Sequence, residues 1–218
     1  MLEVIKFIDS AMNKSNNYVV HNNIEAVIID AGFDVTHLIK YIEQNSLKVK
    51  FVLLTHGHFD HIIGLKSLDE KFDCPIYISK PDYFLLKDDN INMYTVCKFR
   101  YNNMNIPEKC SDLLSQCRDI CVLERDIKLN LGDFEIKIIE TPGHTAGSNC
   151  YLISDNLFSG DTLFKNAIGR TDLPTSDRVE IINSIKNKLF VLNDNTKVYP
   201  GHSLSSTIGE EKMHNRCL

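Results

Sequence analysis

A chain of 218 residues, 43% of them apolar, has the side-chain volume to bury a substantial core, and its length suits one large domain over residues 1 to 218. Its 24 basic and 29 acidic residues are interspersed and leave a formal charge of -5, so no basic stripe offers the footprint that nucleic-acid binding needs. The N-terminal run "MLEVIKFIDSAMNKS" carries Glu3, Lys6 and Asp9, which spoils it as a secretory signal, and no later apolar run approaches a membrane span, so the expectation is a cytoplasmic protein with no membrane and no nucleic-acid partner.

In chain order, "EVIKFI", "NYVVHN" and "EAVIIDAG" read as strands, rich in β-branched residues and separated by Asn-containing turns. A helix is predicted over residues 34 to 45, where Val35, Leu38, Ile39 and Ile42 recur at helical spacing and Asp34 can cap the start. "VKFVLLT" is the next strand, "GLKSLDEKF" a helix, "CPIYIS" a strand and "KPDYFLLK" a short helix. The interval 88 to 126 lacks clean periodicity in its first half and reads as an insertion or lid within the domain. Beyond it, "DIKLNL", "FEIKIIET", "NCYLIS" and "NLFSG" are strands, a helix falls near 177 to 190, and "TKVYP" is the last strand. Mixed sheets covered by helices are implied, an α+β arrangement.

The seven cysteines (Cys74, Cys97, Cys110, Cys117, Cys121, Cys150 and Cys217) form an odd set with no C-x-x-C pair, so reduced thiols are expected. Cys117 and Cys121 are four apart and can share one helical face, where they read as small packing side chains.

The chemistry is concentrated in "THGHFDH", residues 55 to 61, which leaves the end of the strand "VKFVLLT". In an extended chain, residues two apart project to one side, so His56, His58 and Asp60 can converge, with His61 following from the turn into the next helix. Imidazoles and a carboxylate gathered in this way repel and desolvate one another unless a cation joins them, and zinc, iron and manganese are the metals that take such ligands. Further candidates stand at other strand ends: His144 in "TPGHTAGS", Asp161 in "FSGDTLF" and His202 in "YPGHS", each directly after a glycine that lets backbone approach closely. His21, His37 and His214 read as ordinary surface or packing residues.

This ordered set, "HGHFDH", "PGHT", "SGDT" and "PGHS", resembles the signature of the metallo-beta-lactamase superfamily over nearly the whole chain. The resemblance implies a four-layer αββα sandwich, two mixed sheets between helical layers, with a metal site at one edge. It implies that His56, His58 and His144 hold one divalent metal, that Asp60, His61 and His202 hold a second, and that Asp161 bridges both, with zinc the first choice and iron or manganese the alternatives. Within the superfamily, "TPGHTAGS", "FSGDTLF" and "GRTDLP" look most like the glyoxalase II group, whose members hydrolyse glutathione thioesters such as S-lactoylglutathione. The common zinc β-lactamases carry a cysteine where Asp161 stands and often an arginine where His61 stands, which disfavours antibiotic hydrolysis. Longer glyoxalase II enzymes carry a glutathione-binding helical extension, whereas sixteen residues follow His202 here, so weaker recognition of glutathione is expected.

The implied chemistry is hydrolysis of a small-molecule thioester. Two metals so held lower the pKa of a water from about 15.7 toward neutrality, so that neither a serine nor a cysteine nucleophile is required. Asp60 and Asp161 enter catalysis as ligands that hold the reacting centre, not as a paired acid and base. Arg170, in "GRTDLP", is a candidate for binding a substrate carboxylate, with a salt-bridged turn to Asp172 as its structural alternative, and Lys98 and Arg100 of the interval 88 to 126 are further cations for such contacts. Two other classes stand beside this reading: a persulfide dioxygenase, which shares the motifs but uses one iron held by residues matching His56, His144 and Asp161, and a non-catalytic binding member of the fold, a kind that usually loses ligands where this chain keeps all seven.

Overall fold

The computed structural model describes residues 1–218 apart from 10–12, 102–103, 105 and 125–126. Five positions of the interval 88 to 126 therefore lie outside the described residues, including Asp126 at the start of the predicted strand "DIKLNL". Strands β1 (Glu3–Ile8), β2 (Asn16–His21) and β3 (Glu25–Ile29) form an antiparallel meander. Helix α1 (Thr36–Gln44) then crosses to β4 (Lys48–Leu53), which lies parallel to β3. The N-cap is Val35, which makes no side-chain cap bond, so Asp34 does not cap the helix as expected; its Oδ1 instead accepts the Thr36 N–H at 3.0 Å in the turn just ahead of it.

After α2 (Phe59–Ile62) and α3 (Leu65–Lys71), β5 (Ile76–Ile78) adds parallel to β4. The short helix expected in "KPDYFLLK" is a 3-10 turn over Tyr83–Lys87. The aperiodic interval holds α4 (Tyr94–Cys97), a 3-10 turn over Lys98–Tyr101, α5 (Cys110–Leu114) and β6 (Ile120–Val122), the edge strand beside β5. Cys117 follows α5 and Cys121 lies in β6, so these two thiols do not share a helical face, and all seven cysteines are free.

The second sheet begins with β7 (Leu129–Leu131), β8 (Phe134–Glu140), β9 (Asn149–Ile153) and β10 (Asn156–Gly160), all antiparallel neighbours. A hairpin of β11 (Leu163–Phe164) and β12 (Ala167–Ile168) precedes α6 (Arg178–Ser184), which Asp177 caps and which runs on as a π-helical turn over Ile185–Leu189. Strand β13 (Lys197–Pro200) returns parallel to β10, and β14 (Ser206–Thr207) leads into α7 (Ile208–His214). The first sheet runs in the order β1-β2-β3-β4-β5-β6 and the second in the order β14-β13-β10-β9-β8-β7.

Period-two alternation divides the apolar side chains among three seams. On β3, Ala26 and Ile28 face the layer of α1, α2 and α3, where Leu38, Ile42, Phe59, Leu65 and Leu68 meet them. Val27 and Ile29 point the other way, into a seam between the sheets shared with Phe51, Leu53, Ile136, Tyr151 and Phe158. On the far side of the second sheet, Cys150, Leu157 and Val198 pack against Ile181, Ile185, Leu189 and Ile208. Each fully buried side chain of this kind contributes about 1.5–3 kcal/mol relative to exposure. Three seams between helix, sheet, sheet and helix make the four-layer αββα sandwich. Among the described residues no helix is long and apolar enough to cross a membrane.

The sheets are stitched together at one edge. Tyr151 Oη donates to Leu54 O at 2.7 Å, Asn149 N to Thr55 O at 2.8 Å, and Tyr18 Oη to Pro200 O at 2.6 Å. The loops after β4, β8, β10 and β13 all open at this edge.

Candidate metal centre

Those four loops deliver all seven sequence-predicted ligands to one place. Three overlapping sets have every ligand atom within 4.8 Å of the others: His56, His58 and His144; His56, His61 and Asp161; and Asp60, His61 and His202. Five of the seven side chains are buried, whereas Asp161 and His202 are 11% and 25% exposed. Local chain geometry explains the convergence. His58 is extended at the start of α2, so Asp60 and His61 then sit on the first turn of that helix, aimed back at the strand end. Gly160 adopts φ +48°, and a Cβ at Gly201 would press on Asp161 Oδ1 and lie 2.7 Å from His61 Cε1, so these turns require glycine.

The spacing fits a shared cation. Neighbouring nitrogens in a tetrahedral zinc site with Zn–N near 2.0–2.1 Å stand about 3.3 Å apart. His58 Nδ1 lies 2.9 Å from His144 Nε2, and His61 Nε2 lies 3.3 Å from His202 Nε2. Asp161 reaches both groups, with Oδ1 at 3.5 Å from His61 Nε2 and Oδ2 at 3.5 Å from His144 Nε2 and 3.6 Å from His202 Nε2. His56 Nε2, His58 Nε2 and Asp161 Oδ1 are buried with no hydrogen-bond partner, an expensive state for polar atoms that a cation among these side chains relieves.

The electrostatics divide the imidazoles into two kinds. Burial pushes His58 down to about 3, with His144 beside it adding to the effect, and burial together with His61, His144 and His58 holds His56 well below its ordinary range. For His61, burial opposes the charge but Asp161, Asp30 and Asp60 outweigh it and hold the imidazole up at about 10. His202 is raised against the opposition of burial by Asp161 and by its contact with Asp60. Burial would raise Asp60, yet His202 and His61 hold its carboxyl well below the usual range. Asp161 and Asp60 thus favour a positive charge at His61 and His202, the place where a dication would meet the same carboxylates.

Sequence reasoning missed the groups that aim these ligands. Asp30, at the end of β3 with φ +61°, accepts Thr55 N–H on Oδ1 and both Thr55 Oγ1–H and His61 Nδ1–H on Oδ2, each at 2.8 Å. Thr55 Oγ1 is in turn 3.0 Å from His56 Nδ1. The outer nitrogens of two imidazoles therefore answer to one carboxylate, which turns both Nε2 atoms inward. The Arg170 carbonyl accepts His144 Nδ1–H at 2.9 Å, so the backbone of "GRTD" orients a third imidazole. Asp82, fully buried, ties two loops together by accepting Gly57 N–H at 2.9 Å, Thr145 Oγ1–H at 2.7 Å and Gly147 N–H at 2.8 Å. The one sequence signal for Asp30 is an acid closing the apolar strand "EAVII"; Asp82 carries none.

The candidate substrate cations differ in availability. Arg170 makes a bidentate pair with Asp172 at 2.8 and 2.9 Å, with both side chains about two-thirds exposed, and Lys98 is paired to Glu108 at 2.7 Å. Arg100 is exposed and, among the described residues, has no ion-pair partner.

Residues 13–202 match the metallo-beta-lactamase superfamily. The chain is 34% identical over 201 residues to the hydroxyacylglutathione hydrolase GloC of Haemophilus influenzae, an alignment spanning 88% of this chain and 87% of that one. It is 32% identical over 207 residues to the probable metallo-hydrolase YqgX of Bacillus subtilis, spanning 94% and 92%. The crystal structure of BLEG-1, a B3 metallo-beta-lactamase, superposes with a TM-score of 0.84 at 33% identity, covering 98% of each chain. With the four-layer sandwich and a His/Asp cluster suited to two metals at its edge, these matches show that the chain belongs to the metallo-beta-lactamase superfamily.

Proposed function

We propose that this chain is a two-metal hydrolase of small acyl thioesters, with S-lactoylglutathione the leading substrate. The observation that carries the reading is the overlap of the ligand sets: Asp161 stands within 3.6 Å of His61, His144 and His202, as a carboxylate shared between two cations would. In this reading His56, His58 and His144 hold one divalent ion, Asp60, His61 and His202 hold the other, and zinc is the first choice. Bound there, the ions supply hydroxide at neutral pH and a Lewis acid for the carbonyl oxygen. In the overall reaction water adds to the acyl carbon, the carbon–sulfur bond breaks, and the thiol leaves with the remaining proton. The chain's own part is to fix the ligands. Asp30 keeps the proton on His61 Nδ1, the Arg170 carbonyl keeps one on His144 Nδ1, and Asp60 and Asp161 contribute negative charge. The Arg170 guanidinium is assigned to a substrate carboxylate, with Asp172 holding it in a planar, bidentate pose until substrate arrives.

The identity to GloC supports the thioester reading, and the likeness to BLEG-1 supports β-lactam opening as the second. The test is one panel on the purified protein: S-lactoylglutathione, a short acyl thioester lacking the peptide, a β-lactam, and glutathione persulfide with oxygen uptake recorded. Thioester cleavage exceeding lactam cleavage by orders of magnitude is the expected result. Oxygen uptake without thioester cleavage overturns it in favour of the iron dioxygenase.

A further inference from the structure

Asp60 is held from outside the cluster as well as by His202 and His61 within it. Its carboxylate can rotate, and a ligand to one cation has to hold a single oxygen toward His61 and His202. Its backbone is anchored, because Ser15 Oγ donates to Asp60 O at 2.7 Å. Its side chain is met from outside the cluster by Asn13, whose Nδ2 donates to Asp60 Oδ2 at 3.0 Å. That is the same oxygen that lies 3.5 Å from His202 Nε2. An asparagine amide has two chemically opposite ends, and turned the other way its Oδ1 would face the carboxylate and repel it. Tyr101 sets the orientation. Its hydroxyl donates to Asn13 Oδ1 at 2.5 Å and accepts the Asn13 backbone N–H at 3.1 Å, a closed pair of bonds that holds the amide with its NH2 toward Asp60. Asn13 sits at φ +47°, a left-handed conformation that asparagine tolerates better than most residues. Tyr101 belongs to the 3-10 turn of the interval 88 to 126, and its ring packs partly buried against the seam under α1 to α3.

We infer that Tyr101 and Asn13 are positioning residues for the second cation: the tyrosine orients the amide, the amide fixes the Asp60 carboxylate, and the interval 88 to 126 thereby sets how tightly the Asp60, His61 and His202 group holds its metal. This rests on the two-metal reading of the centre. The first group, His56, His58 and His144, has no bond to either residue, so the effect is confined to one of two sites. Partners of a ligand typically alter metal affinity about 10–100-fold.

The test uses the full-length zinc-loaded protein equilibrated against graded chelator, with zinc per chain measured at each step. The variants are Tyr101→Phe, which removes only the hydroxyl, Asn13→Gly, which keeps the left-handed backbone accessible, and the pair together. His202→Ala marks which zinc belongs to the second group. We expect each single variant to release that same zinc at a chelator concentration about tenfold lower than wild type, with the other zinc unmoved. The double variant should lose no more than the singles, because both act through one chain of bonds. Equal loosening of both zincs, an unchanged release profile, or effects that simply add would overturn the inference. A wild-type chain that holds no zinc would instead remove the two-metal reading beneath it.

Discussion

Replacing Asp30 by asparagine changes one oxygen into an NH2 and should cost the centre much of its metal affinity. Oδ1 accepts the Thr55 N–H, while Oδ2 accepts from both Thr55 Oγ1 and His61 Nδ1. In Asp30→Asn the amide oxygen can keep the Thr55 N–H, which leaves the NH2 facing Thr55 Oγ1 and His61 Nδ1. His61 Nδ1 must then accept, so its proton moves to Nε2, the atom 3.3 Å from His202 Nε2. Thr55 Oγ1 reverses as well, donating to His56 Nδ1 and moving that proton to the Nε2 now buried without a partner. Two imidazoles thus present N–H where a cation needs a lone pair. The opposite amide pose sets NH2 against the Thr55 N–H and is no better. A hydrogen bond to a charged group is worth about 1.5–3 kcal/mol, and at about 1.4 kcal/mol per decade this is roughly a 10–100-fold loss of affinity. Because two ligands are affected, the upper end is expected. Competition of the holoprotein with a chelator, followed as metal per chain, measures it. Retention of both metals at wild-type chelator concentrations would refute the tautomer argument.

Asp161→Asn should lower turnover at least 100-fold while the melting temperature of the metal-free protein moves by only a few degrees, since that carboxylate reaches three imidazoles but is not part of an apolar seam; thioester kinetics beside thermal melts check it. Gly201→Ala should empty the centre without unfolding the sandwich, because the added methyl presses on Asp161 Oδ1 and His61, and metal content beside circular dichroism reads both halves. The metal-free protein should lose stability as pH falls below about 6.5: folded His58 takes its proton only near 3, so between these values the unfolded chain binds the proton first, at up to about 1.4 kcal/mol per pH unit. His58→Gln should flatten that acid slope in melts at pH 7, 6 and 5, and an unchanged slope would count against the assignment. His61 acts in the other sense, because its raised value contributes stability that is complete below about 6.5 and fades as pH rises through about 10.

What was legible in the sequence was what the chain concentrates locally. Four ligand candidates in six positions, and three more each directly after a glycine at a strand end, announce themselves without a fold, and "EAVII" and "KFVLL" carry the unbroken apolar runs of central strands. The groups that aim the ligands act across 31 residues from Asp30 to His61, 47 from Asn13 to Asp60 and 63 from Asp82 to Thr145, and no spacing rule reaches that far. Strand β6 has three half-buried residues, too short for a periodic signal, and forms because β5 offers an edge. Helix α7 is different. Thr207 and Glu210 form a capping box, a signature present in "TIGE", but the residues after it are too polar to add a helical period. Glu211 of that helix accepts Asn166 N–H at 2.9 Å and Asn215 bonds Ala167 O at 3.0 Å, so α7 braces the hairpin that leads into "GRTD" and the carbonyl on His144.

The most direct test of the two-metal hydrolase is the rate of S-lactoylglutathione hydrolysis as metal-free protein is loaded stepwise with zinc, plotted against zinc bound per chain. Two ligand groups joined through Asp161 predict little activity up to one equivalent and a steep rise to a plateau as the second binds. Full activity at one equivalent, with no change on adding the second, would contradict the account.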